Sequence, residues 1–171
     1  MRELLLLRHA KSSWDDATLD DADRPLAARG RKAAPVMARA IARRGWIPDL
    51  ALVSPALRTR QTWALVAAGL PRSVETRFES DIYEADPQAI LAAIRTVPPA
   101  TGRLLVVGHN PGLERLAENL AGPGSDADAL ARLRTKFPTG ALARFEVTRH
   151  WSGLAPGTTR LAAFLKPKDE E

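Results

Sequence analysis

The chain has 171 residues, 45% hydrophobic and 26% charged, a balance that fits one globular domain and excludes a disordered polymer. With no cysteine, disulfides, zinc–thiolate sites, iron–sulfur clusters and a cysteine nucleophile are excluded too. The net charge of +5 favours anionic partners, but the cations are mostly arginines spread along the chain without interleaved aromatics, which disfavours a nucleic-acid platform. An apolar run such as Leu4–Leu7 is far short of the ~20 residues a membrane span needs, and no signal-peptide cleavage region follows it. The expectation is a soluble, cytoplasmic protein with no membrane partner.

Strands and helices alternate from the start. Glu3–Arg8 reads as a buried strand, followed by an Asp-rich loop from His9 to Arg24. Val36, Met37, Ala40 and Ile41 recur at helical spacing and Gly45 supplies a stop, so a helix is expected over about Leu26 to Arg44. Its cations, Arg29–Arg31–Lys32 and Arg39–Arg43–Arg44, read mainly as a solvated face. Asp49–Val53 is the second strand, and Pro55 suits the first turn of a helix reaching Ala68. A short strand near Val74–Phe78 and a loop through Tyr83 lead to a helix over Pro87–Arg95. Arg103–Val107 is strongly strand-like, and Pro111 opens a helix to about Leu120. A helical stretch near Asp128–Arg134 precedes strands at Ala141–Val147 and Thr159–Phe164. The reading is one domain over 1–165 and a frayed, charged C-terminal tail over 166–171. This order implies an α/β three-layer sandwich, a mostly parallel central sheet with helices on both faces.

Ligands of such sheets bind at the carboxyl ends of the strands. Arg8–His9, Ser54–Arg58 and Gly108–His109 all fall there and should converge on one crevice. Each is ordinary alone: a polar surface pair, a helix start capped by Ser54, a Gly/Pro-rich turn. Together they set two imidazoles and two guanidiniums around one point. Arginine forks and helix N-termini hold phosphate oxygens, and a neutral imidazole is a nucleophile able to take a phosphoryl group. Phosphoryl transfer asks chiefly for positioning and charge stabilisation, which two arginines and a second histidine can supply. The three histidines, at 9, 109 and 150, have no metal-ligand spacing, and GxxxxGK[ST] and GxGxxG are absent, so neither metal nor cofactor is expected.

Four ordered segments carry a resemblance: Arg8-His9-Ala10-Lys11-Ser12-Ser13-Trp14; Asp23-Arg24-Pro25-Leu26 with Arg29-Gly30; Ser54-Pro55-Ala56-Leu57-Arg58-Thr59-Arg60-Gln61-Thr62; and Val107-Gly108-His109-Asn110-Pro111-Gly112. From about Arg2 to Leu120 the chain resembles the histidine phosphatase superfamily, most closely its short, SixA-like phosphohistidine phosphatases, whose fold is phosphoglycerate mutase-like. The resemblance implies His9 as the phosphorylated nucleophile, with Arg8, Arg58 and His109 holding the transferring phosphoryl group. It implies Arg24 at the pocket mouth and Asn110 beside the phosphate. Ile82-Tyr83-Glu84 loosely fits the family's hydrophobic-x-Glu segment, making Glu84 the candidate general acid, with Asp81 and Asp20 as competitors. Two positions depart from the wider pattern: Ala10 stands where Gly is usual, and Asp15 where many relatives have Asn.

The leading expectation is a metal-independent phosphatase acting on phosphohistidine carried by a protein. The alternatives are a phosphomonoesterase on small phosphate esters and a non-catalytic phosphate- or phosphoprotein-binding module. His150 reads as a surface or packing residue, and Trp46 and Trp63 as core. Trp14 is either a pocket cover or a half-buried loop residue. The carboxylates Asp15, Asp16, Asp20, Asp21 and Asp23 read as a solvated acidic loop, since their spacing is not that of a calcium loop.

Overall fold

The computed structural model describes residues 1–171. Six strands, β1 (Arg2–Arg8), β2 (Leu50–Val53), β3 (Glu75–Phe78), β4 (Arg103–Gly108), β5 (Leu142–Val147) and β6 (Thr159–Leu165), form one sheet in the order β3-β2-β4-β1-β5-β6. The pairs β2–β3, β2–β4 and β1–β4 are parallel, whereas β5 and β6 join antiparallel. Strands covered on both faces have no solvated side to keep polar, which is why β1, β2 and β4 carry the runs Leu4–Leu7, Leu50–Val53 and Leu104–Val107. The edge strand β3, Glu-Thr-Arg-Phe, is largely polar and partly exposed.

The period-2 alternation of the buried strands divides the core in two. Leu4, Leu6, Leu104 and Val106 face α3 (Pro87–Arg95), α4 (Gly112–Leu120) and α5 (Ala127–Thr135). Leu5, Leu7, Leu105 and Val107 face α1 (Ala28–Arg43) and α2 (Leu57–Ala68). The sheet is the middle layer of a three-layer α/β sandwich.

Register positions the site. Arg8 pairs with Gly108, and Val53 with Val107, so β1, β2 and β4 end side by side and the loops that follow leave from one edge. Two glycines let neighbouring segments close on it. A Cβ on Gly30 would lie 2.2 Å from the Lys11 carbonyl oxygen, and one on Gly112 would lie 1.9 Å from that of Ala85. Any side chain there would push α1 off the His9 loop, or α4 off the Glu84 loop.

Four expectations are corrected. The helix expected from Leu26 begins at Ala28, because Leu26 makes a bridge with Ser12. The helix expected from Pro55 begins at Leu57, and Ser54 is turned to a different use. Trp46 is only half-buried, set between the guanidiniums of Arg44 and Arg144 at 5.5 and 5.1 Å, while Trp63 is buried. The tail is not frayed: Pro167–Glu170 forms a short helix, α6, whose Glu170 accepts from Arg43 at 2.5 Å and Arg44 at 2.7 Å.

Candidate active site

Arg8, His9, Arg24, Arg58, Glu84, His109 and Asn110 line one cavity of about 280 Å³ at the carboxyl ends of β1, β2 and β4. Asp20 and Asp81 are exposed and do not reach it. His150 is remote, exposed on the surface with Nδ1 3.0 Å from Arg2.

His9 is 7% exposed and follows β1 directly. Its Nδ1 lies 2.8 Å from the Ala10 carbonyl oxygen, which can only accept, so Nδ1 carries the proton. The in-plane lone pair therefore sits on Nε2, which makes no hydrogen bond to the protein and is not sealed from solvent. The loop is pinned where this matters, since the Ala10 amide donates to Thr62 on α2 at 3.0 Å. Burial, reinforced by the Arg58, Arg8 and Arg24 charges, brings the His9 pKa down to about 4. The ring is neutral at pH 7.

His109 stands across the cavity, its ring centroid 5.5 Å from that of His9. An Arg58 amino group lies 3.3 Å from its Nδ1, and a guanidinium only donates, so Nδ1 accepts and Nε2 carries the proton. That proton goes to Ser54 Oγ at 2.7 Å. Ser54 therefore orients His109 instead of capping α2. Burial first, then Arg58 and His9, bring the His109 pKa down to about 3.

Arg58 is 1% exposed and joins the elements of the site. It donates to the Asp21 carbonyl at 2.8 Å, the Asp21 carboxylate at 3.0 Å and Glu84 Oε1 at 2.6 Å. The same Glu84 oxygen lies 3.6 Å from His109 Nδ1. A carboxylate oxygen thus sits between guanidinium and imidazole, where an anionic oxygen is well received. Glu84 adopts φ +47°, a left-handed conformation that costs a non-glycine residue about 1–2 kcal/mol. Arg8 differs from Arg58 in having no carboxylate partner. It donates to the Phe137 carbonyl at 3.1 Å, and burial lowers its pKa. A half-buried guanidinium with no carboxylate in direct contact, only Glu114 and Glu84 acting at longer range, suits an incoming anion.

Asp21 corrects the reading of a uniformly solvated acidic loop. It accepts from Tyr83, Arg58 and Arg24, and these bonds, led by the Tyr83 hydroxyl, take its pKa down to about 2. Five similar carboxylates in nine residues gave no signal for which one turns inward; the buried Arg58 requires a counter-ion, and Asp21 is the one the 3₁₀ turn at Asp21–Asp23 brings to it. Arg24 is held at the cavity mouth by Asp21 and Ser12, and packs 3.5 Å from the Trp14 ring centre. Trp14 itself is 70% exposed, so it lies on the rim and not over the cavity. The Asn110 amide donates to the Phe137 carbonyl at 2.9 Å and to Glu114 at 3.3 Å, which ties it to the cavity wall.

The two histidines make stability depend on pH. Their folded pKa values lie below the ordinary ~6.5, so below pH 6.5 the unfolded chain binds the extra protons and stability falls with falling pH. Urea denaturation should show a loss of roughly 4 kcal/mol between pH 7.5 and pH 5. The His9→Ala/His109→Ala double variant should lose most of that slope; a wild-type slope retained in it would place the buried neutral groups elsewhere.

The sequence profile of the histidine phosphatase superfamily (branch 1) matches residues 4–90, the stretch that holds His9, Arg24, Arg58 and Glu84. An uncharacterized protein of Mycobacterium tuberculosis is 36% identical over 169 residues, covering 95% of this chain and 100% of the relative. A solved candidate phosphohistidine phosphatase SixA from Nakamurella multipartitia superposes with a TM-score of 0.83 at 31% identity, over 97% of this chain and 96% of that one. Its counterpart from Agrobacterium tumefaciens gives 0.81 at 31% identity, over 97% and 98%. Agreement in profile, in full-length sequence and in fold, on top of an Arg–His pair at the end of β1 facing Arg58 and His109, makes this chain a member of the histidine phosphatase superfamily, in its SixA-like branch.

Proposed function

We propose that this phosphatase removes phosphate from phosphohistidine carried on a protein, through a phosphoryl intermediate on His9 Nε2. The observation that carries the reading is the His9 tautomer: Nδ1–H is spent on the Ala10 carbonyl, and the Nε2 lone pair is left free in a cavity lined by Arg8, Arg58 and His109. In the first step Nε2 attacks phosphorus, the bond from phosphorus to the substrate imidazole breaks, and that ring, already protonated from solvent at its other nitrogen, leaves as neutral imidazole. In the second, water attacks phospho-His9, the phosphorus–Nε2 bond breaks, inorganic phosphate leaves, one proton returns to solvent and His9 regains its neutral form with Nδ1–H kept on the Ala10 carbonyl. Arg8 and Arg58 stabilise the equatorial oxygens as charge spreads over them.

The substrate class is supported by the leaving group the cavity can serve. An alkoxide needs a strong acid to protonate it, and the one carboxylate near the reacting centre besides Asp21 is Glu84, whose Oε1 already accepts from Arg58. An imidazole leaving group needs no acid from the protein, because its other ring nitrogen takes the proton from solvent near neutral pH. The phosphatase should therefore turn over a phosphoramidate or a phosphohistidine peptide faster than an alkyl phosphate. Glu84→Gln should leave phosphohistidine hydrolysis within about threefold and depress residual ester hydrolysis about tenfold or more. EDTA should change neither rate, because guanidiniums carry the charge that a metal would otherwise supply. Equal loss on both substrates, or preference for the small ester, would contradict the reading and favour a phosphomonoesterase.

A further inference from the structure

A second depression, of about 670 Å³, opens beside the catalytic cavity and shares Lys11 and Thr139 with it. Its cations come from four parts of the chain: Lys11 after β1, Arg29 and Lys32 on α1, Lys136 at the end of α5, and Lys166 and Lys168 at α6. Against these six stands one lining carboxylate side chain, Glu171. Between the cations lie Val36, Pro138 and Pro167, so the surface is cationic with an apolar base. The α6 wall is tied to α1 by the Glu170 bonds to Arg43 and Arg44. None of these cations apart from Lys11 borders the reacting centre.

We infer that this groove docks an acidic segment of the phosphoprotein whose phosphate is removed at His9, an inference that rests on the function proposed above. Even with Lys166 3.8 Å from Asp169 and Glu171 on the rim, the six cations leave the groove net positive, which attracts carboxylates and steers their approach. Apolar surface between them gives an aliphatic side chain of that segment somewhere to bury, which a bare phosphate would not use. No aromatic side chain lines the groove, so nucleobases have nothing to stack on. Continuity through Lys11 and Thr139 lets one chain place its phosphorylated histidine over His9 while its neighbouring acidic residues lie along α1 and α6.

The test uses the full chain and the double variant Lys32→Glu/Lys168→Glu, both positions exposed, so the variant should fold normally. The probe is a short fluorescein-labelled peptide of Asp and Glu with one Leu, unphosphorylated, followed by anisotropy at low ionic strength. The expected result is binding that weakens with salt and is about tenfold weaker in the variant. The variant should also raise KM for an acidic phosphohistidine peptide about tenfold while turning over a small phosphoramidate at the wild-type rate. Equal peptide binding by the two proteins would overturn the inference, as would tighter binding of a single-stranded oligonucleotide or of phosphatidylserine vesicles. Binding of the unphosphorylated peptide does not depend on catalysis. Its loss in the variant supports the groove even if phosphohistidine proves a poor substrate, which would count against the proposed activity alone.

Discussion

His9→Ala should lower turnover of any substrate by on the order of 10⁴-fold or more, because removal of a covalent nucleophile leaves only binding and charge stabilisation behind. The fold should survive. His9 follows β1, its amide still donates to the Gly108 carbonyl, and neither half of the apolar core includes its ring. His109→Ala should cost less, about 10²–10³-fold, the usual effect of losing one preorganised polar group beside the transferring phosphoryl group. It also takes from buried Ser54 the shorter of its two hydrogen bonds, leaving only the Ala56 amide at 3.4 Å, so a stability loss of about 1 kcal/mol should accompany it. The comparison separates the roles: ordinary activity in His9→Ala with none in His109→Ala would mean that the two imidazoles exchange parts.

Arg58→Lys is expected to be nearly as damaging as the loss of His109, although charge is conserved. Arg58 reaches the Asp21 carbonyl, the Asp21 carboxylate, Glu84 and His109 Nδ1 at once, with two of its nitrogens. A lysine ammonium has three donors on one atom and cannot reproduce a planar fork. kcat/KM should fall about 10²–10³-fold. The Asp21 carboxyl should rise from about 2 as one of its donors is lost, measurable by NMR titration. A lysine variant within about threefold of wild type would show that charge alone suffices, and the bidentate argument would fail.

The parts of this architecture most legible in the sequence are those where burial leaves no choice of residue. β1 and β4 announce themselves because strands covered on both faces must be apolar throughout, and Arg8–His9 and Gly108–His109 stand out where those runs stop. Element ends were less legible. Leu26 looked helical because it is apolar and buried, but its amide is taken by Gln61 Oε1 and it bridges to Ser12. The α6 helix was hidden because its anchor, Glu170 to Arg43 and Arg44, joins residues 126 and 127 positions apart. The same reasoning covers Asp21 and Ser54. A carboxylate in an acidic loop and a serine before a helix both have ordinary local explanations, and only the approach of Arg58 and His109 from other elements gives them another role. The His109 tautomer is likewise a tertiary property. With Nδ1 accepting from Arg58, the ring must gain a proton there before it can donate to a phosphoryl oxygen, so it is neutral before the anion arrives.

The central claim is that His9 Nε2 becomes phosphorylated. Mixing the protein with a ³²P-labelled phosphohistidine peptide, quenching in alkali within the first turnover and mapping the label by mass spectrometry tests it most directly, since phosphohistidine survives alkali where acyl phosphates do not. The account predicts one alkali-stable, acid-labile phosphoryl group on His9, present in the wild type and in His109→Ala and absent in His9→Ala. Label on His109 or on a carboxylate, or full turnover with no labelled protein at any time, would contradict it.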